Sequence, residues 1–155
     1  MRQIELEMVT APNREPYLEF LLMADESEEM VRSYIQDGEM FSIRFAGKPA
    51  GAVLFTFHGH RVIELKNIAI AQGLRGQGIG KMVLKEAFET FRGRGYEKMI
   101  VGTANSSIAN LAFYQRAGFR MEGIKKDFFA NYPAPIYENG IRALDMVMFE
   151  KNLKE

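Results

Sequence analysis

The stretch from Arg61 to Thr103 constrains the fold more than any other part of the chain. Arg61 to Ile70 reads as a strand, and it runs into the glycine-rich turn Arg75-Gly76-Gln77-Gly78-Ile79-Gly80. Ile79, Met82, Val83, Ala87, Phe88 and Phe91 then recur at helical spacing, giving an apolar stripe on a helix that ends around Gly93 to Gly95. Lys98 to Thr103 follows as a short buried strand. A strand, a crossover helix and a second strand make a parallel pair, which two-residue hairpins cannot build. The glycine turn therefore lies at the carboxyl end of a strand and the amino end of a helix, where open mixed and parallel sheets commonly hold ligands.

The flanking segments extend this unit into a mixed sheet. Ile4, Leu6 and Met8 alternate with polar residues, as in a strand with one face on a core. Leu18, Leu21 and Leu22, then Met30, Val31 and Tyr34, predict two short helices between Pro12 and Asp37. Phe41, Ile43 and Phe45 alternate again, and turns at Gly47-Lys48-Pro49 and Gly59-His60 complete a three-stranded antiparallel meander. After Thr103 a helix is predicted from about Ser106 to the residue before Gly118, with Ile108, Leu111 and Ala112 facing inward and Asn105, Ser106 or Ser107 as candidate caps. Phe119 to Lys125 and Ile141 to Glu150 read as strands, separated by a long ordered loop over Asp127 to Gly140. The predicted class is α/β with a mixed sheet: strand, two helices, three strands, helix, strand, helix, two strands. At 155 residues and 47% apolar content, residues 1–155 are expected to form one domain.

Composition removes several function classes. Twenty basic and twenty acidic side chains balance, so no global field favours nucleic acid or an anionic membrane. Without cysteine there are no disulfides, thiolate metal sites or cysteine nucleophile. Two histidines without a carboxylate cluster make a poor metal site, so no metal is expected. Arg2, Glu5 and Glu7 interrupt the stretch from Met1 to Val9, and no run is long enough to span a bilayer; a cytoplasmic protein is the expectation.

Alternate glycines turn a backbone tightly and clear side chains away, so successive N–H groups can face an anion at the positive end of a helix dipole. A pyrophosphate suits that geometry, with Arg75 and Lys81 placed to pair with its oxygens. The same composition also suits a plain structural turn. A Walker loop would need Ser or Thr after Lys81, where Met82 stands. The dinucleotide fingerprint would need glycine at the position of Lys81, which weakens that reading too.

These residues resemble the GCN5-related N-acetyltransferases, whose signature of Gln or Arg, two variable residues, Gly, one variable residue, then Gly or Ala is filled by Arg75, Gly78 and Gly80. Leu111-Ala112-Phe113-Tyr114-Gln115-Arg116-Ala117-Gly118-Phe119 is similar to that family's later helix, where a tyrosine precedes a segment ending in Gly-Phe. The resemblance implies an acetyl-coenzyme A site. Ile68, Ala69 and Ile70 would pair their backbone with the pantetheine arm, and Gly76, Gln77, Gly78, Ile79, Gly80 and Lys81 would hold the pyrophosphate. The parallel strands would splay to admit the thioester. Where the family often has an asparagine two helical turns before the tyrosine, this chain has Ser107, and Asn105 or Asn110 is placed to substitute for it.

Direct acyl transfer to an amine needs a base, an oxyanion donor and an acid. Tyr114 is the candidate acid, since a phenol stays protonated at neutral pH. Glu64 is the candidate base, because it stands five residues before Ala69, as a catalytic glutamate does in the histone acetyltransferases of that family. Strict alternation would put it on the face of Ile68 and Ile70 unless a bulge near Asn67 resets the register. The N–H of Ile68 or Ala69 is the candidate oxyanion donor. His58 and His60 are read as surface residues, because ten residues of strand from His60 to Ile70 span roughly 33 Å. Asp25, Glu26, Glu28 and Glu29, and the aromatics Phe128, Tyr132 and Tyr137, are candidates for recognising a small-molecule or peptide amine. The ten methionines read as core packing. The resemblance also admits a homodimer through the last strands. The rival reading is a non-catalytic module that binds acyl-coenzyme A.

Overall fold

In the computed structural model, which describes residues 3–154, a seven-stranded mixed sheet is covered by helices on both faces. Strand β1 (Ile4–Val9) is followed by two short helices, α1 (Leu18–Ala24) and α2 (Glu28–Tyr34), and by the meander β2 (Glu39–Phe45), β3 (Lys48–His58) and β4 (Val62–Ile70). Helix α3 (Ile79–Gly93) leads to β5 (Lys98–Ala104), and α4 (Ile108–Arg116) to β6 (Arg120–Lys125). Two short strands, β7 (Tyr137–Glu138) and β8 (Ile141–Arg142), form a separate hairpin before β9 (Met146–Asn152). The order across the main sheet is β1-β2-β3-β4-β5-β9-β6. Among the described residues no helix is long and apolar enough to cross a membrane.

Two cores form because the sheet is buried from both sides. On one face Ile79, Val83, Leu84, Ala87 and Phe91 of α3 and Tyr114 of α4 pack on Val53, Phe55, Ile63, Leu65, Met99, Val101 and Phe149. Phe55 and Phe91 meet at 4.8 Å between ring centroids, a contact that adds to their area burial. On the other face Leu21, Val31 and Tyr34 of α1 and α2 cover Val9, Met40, Ala52 and Leu54. This two-sided cover explains why Val9 is buried whereas Met8, expected on the core face, is 53% exposed. Met23 and Met121 are also exposed, so core packing accounts for only some of the methionines.

Three expectations about the second half need correction. Helix α4 starts at Ile108 with Ser107 at its N-cap position, but no side chain makes a capping hydrogen bond there. The Ser106 and Ser107 hydroxyls instead donate to Glu138 at 3.1 and 2.7 Å. Ile108, expected to face inward, is exposed, and Tyr114 is the buried residue of that helix. The expected strand over Ile141 to Glu150 is broken at 143–145. There Asn105 Oδ1 accepts from the N–H groups of Leu144 and Asp145, and its Nδ2 donates to Arg142 O, so a side chain replaces the ladder bonds.

One buried cation ties together the side of the fold covered by α1 and α2. Arg14 is 4% exposed and donates to the carbonyls of Val9, Ile35, Asp37 and Gly38 at 2.6 to 3.0 Å, joining the end of β1 to the chain after α2. Replacing it strands several carbonyls in a site that water reaches poorly. Arg14→Leu is expected to lower unfolding stability by about 3 kcal/mol in urea titrations; a loss under about 1 kcal/mol would show that the carbonyls find other donors.

Candidate active site

The centre of the site is the place where β4 and β5 part. They pair in parallel only over Val62–Glu64 and Lys98–Ile100, and both then run on, to Ile70 and Ala104, without pairing to each other. The edge of β4 facing β5 from Leu65 onward therefore has no ladder partner there, which leaves backbone groups open to a ligand. β4 also carries a bulge. Leu54 pairs with Asn67 but Phe55 with Leu65, so Lys66 is the extra residue. The bulge resets the alternation: Ile68 and Ile70 join the α3 side, whereas Asn67, bonded to Leu21 O and Tyr34 OH, faces α1 and α2. Glu64 lies on that same α2 side, opposite to Ile68 and Ile70.

Glu64 belongs to a chain of polar contacts on this face. Its Oε1 is 2.8 Å from His58 Nε2, and its Oε2 is 3.9 Å from Lys66 Nζ. Lys66 lies over the Tyr34 ring at 5.2 Å, and the Tyr34 hydroxyl donates to Asp25 Oδ2 at 3.1 Å while accepting from Asn67. His58 is exposed, as expected of a surface residue, and it nonetheless contacts Glu64. The strand length to Ile70 was the wrong measure, because His58 pairs with Val62 across the hairpin and reaches the side chain two positions further on. Tyr34, Asp37, Thr56, His58, Glu64 and Lys66 line a cleft of about 490 Å³. Of the acidic run near α2, Asp25 alone joins this chain; Glu28 pairs with Arg32, and Glu26 and Glu29 are exposed. Tyr137 is 64% exposed, but Tyr132 is half-buried, and burial followed by the nearby Asp25 carboxylate pushes its phenol up to about 12. Phe128 stacks edge-on against Phe129 at 4.9 Å, within the same loop as Tyr132.

On the other side of the gap lies the glycine turn. Gly76 and Gly78 have φ of +82° and +78°, the left-handed region that glycine adopts without strain, and a Cβ at either would meet nothing within 4 Å. The turn is open where side chains would stand. Gly78 is the N-cap of α3 and offers no side-chain cap, and the first helical bond runs from Met82 N to Gly78 O at 3.1 Å. By helix geometry the N–H groups ahead of Met82 are unpaired and point out of the helix end. Arg75, Gln77 and Lys81 are exposed beside them, and Arg75 Nε also donates to Ile70 O at 3.2 Å. Gly80 has a different reason to be glycine: a Cβ there would lie 3.1 Å from the Phe113 ring, so its smallness lets α3 pack on α4. Ile79 is buried, leaving only its backbone for a ligand.

Tyr114 is 5% exposed, packed against Phe113, Phe119 and Phe149 at 5.3 to 5.9 Å, and burial holds its phenol well above the ordinary range. Its hydroxyl has no protein partner among the described hydrogen bonds. Asn105 is committed to the 142–145 segment by its three bonds, so it is not free for a cofactor arm. Asn110 is exposed on α4, 3.4 Å from Thr103 Oγ1 at the end of β5. Among the described residues no group of three or more His, Asp or Glu is arranged to hold a metal.

With this geometry in hand, comparison with known proteins is decisive. The profile of the acetyltransferase (GNAT) family matches residues 5–119. The chain belongs to the GNAT family of acetyltransferases. It is 35% identical over 148 residues to the uncharacterized N-acetyltransferase YvbK of Bacillus subtilis, covering 95% of each. A GNAT acetyltransferase from Elizabethkingia anophelis, solved with acetyl-CoA bound, superposes with a TM-score of 0.89 at 36% identity, over 98% of this chain and 99% of that one. A Bacillus subtilis acetyltransferase in complex with CoA gives 0.85 at 34% identity, over 97% of each chain. This GNAT enzyme therefore shares both fold and family with acetyltransferases that hold the cofactor.

Sequence reasoning did not find Tyr34, Lys66 or Asn67, and it set His58 aside. Tyr34 falls in a helical apolar stripe and Lys66 inside the strand from Arg61 to Ile70, and neither carries a motif. The signal that was present is the polar pair Lys66-Asn67 inside an otherwise apolar strand, where a bulge turns both to one face.

Proposed function

We propose that this GNAT enzyme transfers acetyl from acetyl-coenzyme A directly to a primary amine of a small molecule or peptide, within a ternary complex. The single observation that carries the reading is the end of β4–β5 pairing at Glu64, with a carboxylate on one side of the gap and an open glycine turn at the end of the same strand. The N–H groups from Gly76 to Lys81, with Arg75 and Lys81, hold the pyrophosphate, and this fits the cleared space above Gly76 and Gly78. The edge of β4 left without a ladder partner over Ile68 to Ile70 binds the pantetheine arm, and Asn110 stands beside it. Acetyl-CoA in one of the two similar structures and CoA in the other support the same ligand here.

The chemistry divides across the gap. An acceptor ammonium enters on the α2 side and gives one N–H proton to Glu64, freeing the lone pair. The nitrogen bonds to the thioester carbon, the oxyanion takes a hydrogen bond from the N–H of Ile68 or Ala69, and the C–S bond breaks. Tyr114 gives its hydroxyl proton to the departing sulfur, and the second proton that the nitrogen loses on becoming an amide restores the phenol; held neutral by burial, the phenol is present as donor across the whole neutral range. His58 and Lys66 hold the two Glu64 oxygens in place.

Glu64→Gln keeps the shape of this arrangement and removes its basicity. At a pH where the amine is mostly protonated, kcat/KM for the amine is expected to fall about 10²-fold, and the deficit to narrow as pH rises toward the pKa of the amine. Steady-state thiol release checks this, and an unchanged pH profile would remove Glu64 from the mechanism.

A further inference from the structure

Among the described residues a single fully enclosed side-chain polar atom lacks a hydrogen-bond partner, and it is Asn67 Oδ1. Asn67 is 5% exposed. Its orientation is fixed by chemistry: Nδ2 donates to Leu21 O at 3.0 Å and to the Tyr34 hydroxyl at 2.9 Å, and turning the amide over would set oxygen against the Leu21 carbonyl, which only accepts. The carbonyl oxygen is therefore held away from α1 with nothing to accept from. A buried acceptor left this way is rare in folded proteins and destabilises them. An apolar side chain would serve packing better at this position, so the explanation lies in what the oxygen binds.

The surroundings are rich in acceptors, and the nearby cation, Lys66, lies over the Tyr34 ring and toward Glu64. Tyr34 already spends its proton on Asp25 Oδ2, and Asp25 Oδ1 accepts from Ser27 N at 3.2 Å, leaving carboxylate lone pairs unfilled. Tyr132 of the loop after β6 stands near the same carboxylate, so this loop closes over the α1 and α2 side of the gap. Glu64 lies on the same side of β4 as Asn67, with only Leu65 and the bulge residue Lys66 between them. Ile68 follows directly, with its backbone in the unpaired edge of β4.

Resting on the amine-acetylation reading above, we propose that Asn67 Oδ1 is the acceptor-amine contact, taking one N–H of a primary amine while Glu64 removes another. A primary ammonium has three N–H bonds; one proton leaves to Glu64, one N–H is held by Asn67, and the lone pair freed is aimed at the thioester carbon. Asp25 and Tyr34 hold the Asn67 amide in register and add negative potential for the cation before it is deprotonated. Asn67 thus acts on the acceptor and not on acetyl-CoA.

The test is a kinetic comparison of the full chain with Asn67→Leu and Tyr34→Phe, using one primary amine that the unmodified enzyme acetylates. Asn67→Leu is expected to lower kcat/KM for the amine about 10²-fold, the size of a lost hydrogen bond to a charged group, with acetyl-CoA affinity by calorimetry within about twofold. Tyr34→Phe, which leaves the bond to Leu21 O, is expected to cost about fivefold to tenfold in the same parameter. An Asn67→Leu enzyme that binds acetyl-CoA normally and keeps amine kcat/KM within about threefold overturns the proposal, and means that the oxygen held only water. Should that variant fail to bind acetyl-CoA, the unmodified protein decides: adding the acetylated amine to the CoA complex must move the Asn67 side-chain amide signals in ¹H–¹⁵N spectra, and unmoved signals overturn it. Failure of the unmodified enzyme to acetylate any primary amine would instead refute the function proposed above.

Discussion

Tyr114→Phe is expected to lower kcat about 10² to 10³-fold while acetyl-CoA affinity stays within about twofold and the fold keeps its stability. The separation follows from two facts about this side chain. Its ring is packed among Phe113, Phe119 and Phe149, contacts that phenylalanine reproduces. Its hydroxyl bonds to no protein group among the described hydrogen bonds, so removing it strands nothing, unlike the usual buried tyrosine. The loss should also be nearly constant between neutral pH and about pH 10, because burial raises the phenol above its ordinary range and it never ionises there. The same shift has a stability consequence. A phenol with a raised folded pKa stabilises the fold below the unfolded value of about 10, and that contribution is lost as pH rises further, when only the unfolded chain ionises readily. Tyr34, raised mainly by burial as well, acts in the same direction. Single-turnover kinetics with parallel calorimetry checks the first claim, and a kcat within threefold of the parent would remove Tyr114 as the acid.

Gly78→Asp is expected to weaken acetyl-CoA binding by at least about 10²-fold. Three effects act together at this residue: φ of +78° strains any side chain, the Cβ would enter the open space where a pyrophosphate lies, and a carboxylate at the helix start repels it. The strain alone costs about 1 kcal/mol of stability, so the variant should still fold. Gly78→Ala separates the terms, since it adds the strain and the methyl without the charge. Calorimetric titration with acetyl-CoA reads both, and full affinity in Gly78→Asp would mean that the pyrophosphate lies elsewhere.

Much of this was legible in the sequence because it depends on local pattern. The crossover from β4 through α3 to β5, the two short helices, the meander and the glycine turn all follow from periodicity and glycine placement. Even the bulge on β4 could be posed as a condition, and the structure meets it at Lys66. What the sequence hid depends on contacts between distant segments. Asn105 read as a cap or cofactor contact because its partners at 142–145 are remote in the chain. Gly80 read only as part of the anion cradle, and its smallness also serves Phe113 of another helix. His58 was judged by distance along a strand when the relevant approach is across a hairpin. Arg14 carries no local pattern, and only folding gathers its four carbonyls.

The most direct test of direct acetyl transfer is mass spectrometry of a panel of primary amines incubated with the chain and acetyl-CoA, with free thiol followed in parallel. The account predicts one acetylated amine for each thiol released, no release without amine beyond slow hydrolysis, and no acetyl group left on the chain itself. Tight acetyl-CoA binding with no amine-dependent thiol release would contradict it, and would make this GNAT protein a cofactor-binding module.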